Sequence, residues 1–104
     1  MNFINLTPHA LNIVQADGSV YTLPPSGQVA RVATTRTVVN LVDDIEIYET
    51  QFGEVEGLPE RNGQDLFIVS ALVAQRANRA DVYSPGELVR DGDGKVIGCR
   101  GLTQ

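Results

Sequence analysis

The chain has 104 residues, 42% of them apolar and 20% charged, with a formal net charge of −5. That size and balance describe a single compact domain over residues 1–104, able to hold a core without metals or disulfides, and they exclude a disordered chain. The acidic balance argues against an electrostatic grip on nucleic acid, the lone Cys99 excludes an internal disulfide framework, and the lack of a signal-type start or long apolar run predicts a cytoplasmic protein that avoids membranes.

The first half reads as β-structure. Leu11 and Ile13 alternate with Asn12, residues 20–23 are rich in strand formers, and Asp17-Gly18 between them predicts a hairpin turn. Pro24-Pro25-Ser26-Gly27 then breaks the chain. Residues 29–33 alternate again around Arg31, residues 37–42 form a β-branched run, and Asp43-Asp44 turns that run into Ile45-Glu46-Ile47-Tyr48. Four or five short strands in so little chain predict a small barrel or sandwich. Phe52-Gly53-Glu54-Val55-Glu56-Gly57-Leu58-Pro59 reads as a loop whose glycines permit close approach. Phe52 and Leu58 would fill pockets on a neighbouring subunit, or the loop would fold on itself as a compact Ω-type excursion.

The second half changes character. Residues 65–69 form a continuous apolar run that predicts a buried strand, and residues 70–77 are rich in helix formers. Ser70 is placed to cap the start of that helix, and Asn78 to close it in a left-handed conformation. Residues 81–94 concentrate turn formers, an aromatic and charged groups, which marks them as a binding surface held by tight turns. A last hairpin is expected from Val89-Arg90 to Val96-Ile97 around Asp91-Gly92-Asp93-Gly94. The expected fold is mainly β (α+β): a small twisted antiparallel β-barrel or sandwich with one short helix, which we place as a plug at one barrel end.

Few of these residues carry recognisable chemistry. Asp91-Gly92-Asp93-Gly94 looks like the start of a calcium loop, but the twelfth position, which needs a bidentate Glu, is Leu102. A β-turn is the better reading, and no metal is expected. His9 is the single imidazole, following Thr7-Pro8; it serves either as a general base or as a polar side chain closing a turn. Ser26 and Ser84 lie in turn contexts without a strand–elbow–helix nucleophile motif. The common phosphate cradles are absent, so no nucleotide cofactor is expected. Seven of the eight basic residues are Arg, whose planar guanidinium pairs well with carboxylate or phosphate. Arg76 and Arg79 are three apart and could converge on one acidic group, with Tyr83 stacking on a ring and the free N–H groups of the helix start assisting. The competing reading is that these arginines ion-pair with Asp81 and Glu87. Arg90, Arg31 and His9 complete the candidate set. Cys99, between Gly98 and Arg100, is expected as a buried structural thiol.

Taken in order, Asn5-Leu6-Thr7-Pro8-His9, Pro25-Ser26-Gly27, Val29-Ala30-Arg31-Val32, Phe52-Gly53, Gly57-Leu58-Pro59, Ile68-Val69-Ser70 and Pro85-Gly86-Glu87-Leu88-Val89-Arg90-Asp91 give the chain a resemblance. It resembles a family of small uncharacterised proteins of bacteriophages, prophages and actinobacteria, over nearly its full length. The resemblance implies a phage or mobile-element accessory protein acting in the bacterial host cytoplasm, and it brings no activity or catalytic residue. That setting includes small oligomeric sponges that sequester a nucleotide-derived immune signal. The leading expectation is therefore a non-enzymatic homo-oligomer binding a small anionic, nucleotide-like ligand as an anti-defence protein. A protein-interaction or structural module acting through residues 52–59 is the first alternative. A small hydrolase or lyase using His9 with Asp81 or Glu87 is the second.

Overall fold

A computed structural model describes residues 2–104. Eight strands and one helix follow in the order β1 (Asn2–Asn5), β2 (Leu11–Val14), β3 (Val20–Leu23), β4 (Arg31–Val42), β5 (Ile45–Glu56), β6 (Asp65–Ile68), α1 (Ala71–Ala77), β7 (Val82–Arg90) and β8 (Val96–Thr103). Six strands form one sheet in the order β1-β6-β7-β8-β2-β3, while β4 and β5 pair only with each other.

The six-stranded sheet curls until its ends almost meet. Ile13 and Leu23 from β2 and β3 share a buried cluster with Ile68 from β6 and Cys99 from β8, and Leu11 and Leu102 pack against it. Because β6 lies next to the opposite edge of the sheet, this cluster is the inside of a nearly closed barrel. Asn5 bridges the remaining gap. Its side-chain amide, 1% exposed, donates to the Leu23 carbonyl at 3.1 Å and so ties the first edge strand to the last. The same group donates to the His9 carbonyl at 2.8 Å, and its oxygen accepts from the Thr7 backbone N–H and hydroxyl at 2.9 and 2.6 Å.

A small β-barrel with one short helix is thus what forms, but two details differ from expectation. The sheet is mixed, since β1 with β6, β6 with β7 and β2 with β8 are parallel pairs. Parallel neighbours need a crossover, and α1 supplies one between β6 and β7. The apolar run of β6 fits that role because both its faces are covered: Ile68 points into the barrel cluster, and Phe67 and Val69 into a second cluster outside it. This second cluster holds the other correction. α1 does not plug a barrel end; Val73, Ala74 and Ala77 pack on the outer face with Leu6, Ala30, Phe67 and Val82. The caps of α1 are those expected, with the Ser70 hydroxyl accepting from Val73 N–H and Asn78 at φ 49°, ψ 51° donating to the Ala74 carbonyl. At seven residues the helix is too short to act as a free anion site, and Ser70 already occupies its first turn.

The strand boundaries also move. Residues 31–42 run as one strand without a break, and β5 continues through Phe52 and Gly53 to Glu56, so the expected loop is strand until Gly57. Residues 82–90 form β7 rather than a cluster of turns. Only Asp91 to Gly94 turn, with the Asp91 carboxylate accepting from the Asp93 and Lys95 N–H groups.

The 12-residue strands β4 and β5 form a ribbon closed by Asp43 and Asp44, both at positive φ (48° and 64°). Two consecutive left-handed residues are what a two-residue hairpin turn requires, and Asp tolerates that conformation better than most side chains. At its base the ribbon is anchored by Val32 and Val55 against the outer cluster. Beyond the base it stands off the body as an arm. The radius of gyration is 16.7 Å, against about 13 Å for a compact domain of this length.

Candidate functional site

The arm base, α1 and the segment after β5 enclose a hollow of about 370 Å³ lined by Gly53, Glu54, Val55, Leu58, Arg76, Ala77 and Arg79. That volume lies at the small end of small-molecule sites, roughly 300–1,000 Å³. Gly57, at φ 79°, makes the arrangement possible. A Cβ there would lie 2.6 Å from the Val29 carbonyl oxygen, so only glycine lets the chain leave β5 alongside the start of β4.

Arg76 and Arg79 meet in this hollow, as the spacing predicts, but they do different things. Arg79 is fully engaged within the chain. Its Nε and Nη2 donate to the two carboxylate oxygens of Asp81 at 2.9 and 2.6 Å, and Nη1 donates to the Pro59 carbonyl at 3.0 Å. Arg76 uses only Nη2, which donates to the carbonyls of Phe52 and Gly53 at 3.3 and 3.1 Å. Among the described residues it has no carboxylate partner. The hollow therefore holds one guanidinium that is positioned but not neutralised, facing Glu54 and an apolar wall of Val55, Leu58 and Ala77.

The bidentate pair sets the local electrostatics. The hydrogen bonds from Arg79 hold the Asp81 carboxyl below its ordinary value, outweighing the partial desolvation that acts the other way, and Asp81 in turn raises Arg79. A carboxylate with a depressed folded pKa stabilises the fold above its unfolded value near 3.8, and that contribution is lost as the pH falls through the folded value. Asp81→Asn is expected to cost on the order of 1 kcal/mol at neutral pH. Denaturant midpoints of the two proteins should converge as the pH is lowered past the ordinary value of 3.8 and through the depressed folded one; a gap that does not shrink on acidification would mean that charge has no part in it.

The other candidates are dispersed. Tyr83, on β7, lines a separate hollow of about 230 Å³ with Arg61, Asp65 and Asp81. Asp81 borders that hollow and Arg79 the first, so their ion pair forms the wall between them. Arg90 donates to the Gly94 carbonyl at 2.9 Å and clasps the β7–β8 turn. Arg31 lies exposed at the start of β4, in register with Glu56. His9 is exposed in the β1–β2 connection, where its carbonyl accepts from Asn5 and Thr7, and it lines none of the five best-formed hollows among the described residues. Leu58 packs within its own chain against the outer cluster, whereas Phe52 is 45% exposed on the arm. Cys99 is buried in the barrel. Among the described residues no group of His, Cys, Asp and Glu is placed to hold a metal ion, and no helix is long and apolar enough to cross a membrane.

One feature escapes the sequence reading altogether. The barrel is open at one end into an apolar hollow of about 580 Å³, lined chiefly by Phe3, Ile13, Val14, Tyr21 and Leu102. Ile13 pairs directly with Tyr21, which puts both on the inner face. The alternation of Tyr21 with Leu23 is the signal that could have revealed it. No family model, curated protein or solved structure matches the chain.

Proposed function

We propose that this protein is a non-enzymatic binding domain for a small anionic ligand of nucleotide type, received in the hollow between the arm base and α1. The observation that carries the reading is Arg76, a guanidinium fixed by two carbonyls and left without a carboxylate partner beside an apolar wall. Its free N–H groups suit a phosphate or carboxylate. Glu54 on the same hollow suits ribose-type hydroxyls, which donate to a carboxylate, and Val55, Leu58 and Ala77 suit the flat face of a base. Arg79 contributes by holding the wall rather than by meeting the ligand. In the setting implied by the phage-type resemblance, such a protein would act in the host cytoplasm as an oligomeric sponge that withdraws an immune signal without cleaving it.

The test is to incubate the protein with cyclic dinucleotides and ADP-ribose derivatives, filter it off, and chromatograph the filtrate before and after heat denaturation. A compound that vanishes and returns intact is the expected result. Arg76→Ala should weaken its retention by roughly 10- to 100-fold, the loss of one charge-assisted contact. Unchanged retention in that variant would remove this hollow as the site, and a chemically altered product would move the protein to the enzyme class with His9 and the carboxylates as suspects. A second reading, a protein-interaction module, is favoured by the arm and its exposed apolar residues.

A further inference from the structure

The arm is unusual in what it leaves uncovered. Residues paired across a two-stranded ribbon share a face, so Val38, Leu41, Tyr48 and Phe52 lie on one side and Val42, Ile45 and Ile47 on the other. All are between 42% and 63% exposed. Arg36 stacks over Tyr48 at 4.2 Å and the Tyr48 hydroxyl donates to Glu46, but these contacts lie within the ribbon and cover little of it. An isolated two-stranded ribbon is at best marginally stable in water without a further strand or packed surface. Contact between the arm and the body is at the arm's base, where Val32 and Val55 meet α1 and the outer cluster.

We propose that the tip of this arm seats in the open barrel mouth of a second copy of the chain. Size is the first argument. Twelve residues at about 3.3 Å each give a ribbon roughly 40 Å long, enough for its tip to reach a neighbouring copy while its base stays packed on its own body. Chemistry is the second. Leu41, Val42, Ile45 and Ile47 cluster around the turn, and the mouth that would receive them is an apolar hollow of about 580 Å³ walled by Phe3, Ile13, Tyr21 and Leu102. Charge then selects the mouth over another arm. The arm carries six carboxylates, Asp43, Asp44, Glu46, Glu49, Glu54 and Glu56, against Arg31 and Arg36, so two arms laid together repel. Among the described residues no carboxylate lines the mouth, so the acidic Asp43-Asp44 turn meets no like charge there. The inference is independent of the ligand reading, because the mouth and the arm tip are separate from the Arg76 hollow.

Complementation tests it. The tip variant Leu41→Ser/Ile45→Ser and the mouth variant Phe3→Ser/Tyr21→Ser change residues that are all at least 41% exposed, so the fold should survive, which circular dichroism checks. Light scattering after size exclusion should show the wild type as an assembly of at least two copies. Each variant alone should associate about tenfold or more weakly. An equimolar mixture should regain a dimer, because the intact arm of the mouth variant still finds the intact mouth of the tip variant. A monomeric wild type at all concentrations overturns the proposal. So does loss of assembly in the tip variant only, which would mean that arms meet each other or another surface, and so does a mixture that stays dissociated.

Discussion

Asn5→Leu is expected to destabilise the protein by about 3 kcal/mol or more, lowering the thermal midpoint by roughly 10–25 °C for a domain of this size. The substitution keeps size and removes polarity. The Leu23 carbonyl loses its side-chain donor and the Thr7 N–H its acceptor, while the His9 carbonyl and the Thr7 hydroxyl keep only each other. Each buried group left without a partner costs about 1–3 kcal/mol, more than the bond itself contributes on balance. The bond to Leu23 is the decisive one, because β1 and β3 are the two free edges of the sheet and this amide spans them. Denaturant unfolding reads the effect as a lower midpoint with an unchanged slope. A loss under about 1 kcal/mol would show that the seam is held by packing alone.

Gly86→Ala comes next, with an expected loss of about 3 kcal/mol from overpacking. Gly86 sits in β7 between Pro85, paired with Leu102, and Glu87, paired with Arg100. A Cβ at this position would overlap the Arg100 carbonyl oxygen and lie 2.9 Å from the Gly101 carbonyl oxygen. Both obstacles are backbone, so no side-chain rotation relieves them; β8 itself must move. Gly92, in the exposed turn, has open space where a Cβ would go, and Gly92→Ala should stay within about 0.5 kcal/mol of the wild type. Comparable losses in the two variants would show that the close approach of β7 to β8 does not explain the first, since the lower unfolded-chain entropy of alanine acts in the stabilising direction.

These two positions also show what could be read from the sequence. Local chemistry was legible where neighbours in the chain determine it: the Asp17-Gly18 and Asp43-Asp44 turns, the Ser70 and Asn78 caps, and the double-sided burial of residues 67–69. Gly86 misled because Ser84-Pro85-Gly86 has turn composition, yet the close approach of β8 demands a residue without a side chain inside a strand. The site divided in the same way. Arg76 and Arg79 converge because helical spacing requires it, but whether a guanidinium is free depends on Asp81, Pro59 and the carbonyls of Phe52 and Gly53, which only the fold brings near. Tyr83 fell into a separate hollow because the ion pair stands between. The extent of the arm was hidden for a further reason: Thr, Glu and Gln alternate weakly with apolar residues in β5, so no inward face is marked.

The parallel pairing of β1 with β6 joins residues 2–5 to residues 65–68, whereas the arm joins near neighbours through a two-residue turn. Loop-closure entropy therefore separates the two events in time. The ribbon can zip within microseconds of the chain becoming free, and the seam at Asn5 must wait until a span of more than half the protein has been drawn in. The element that exposes the most apolar side chains among the described residues is thus the earliest formed and the barrel closure the latest. During that interval a nascent chain presents a ready-made sticky hairpin beside an open sheet edge, so refolding yield should fall as concentration rises, even though the finished barrel has its edges tied.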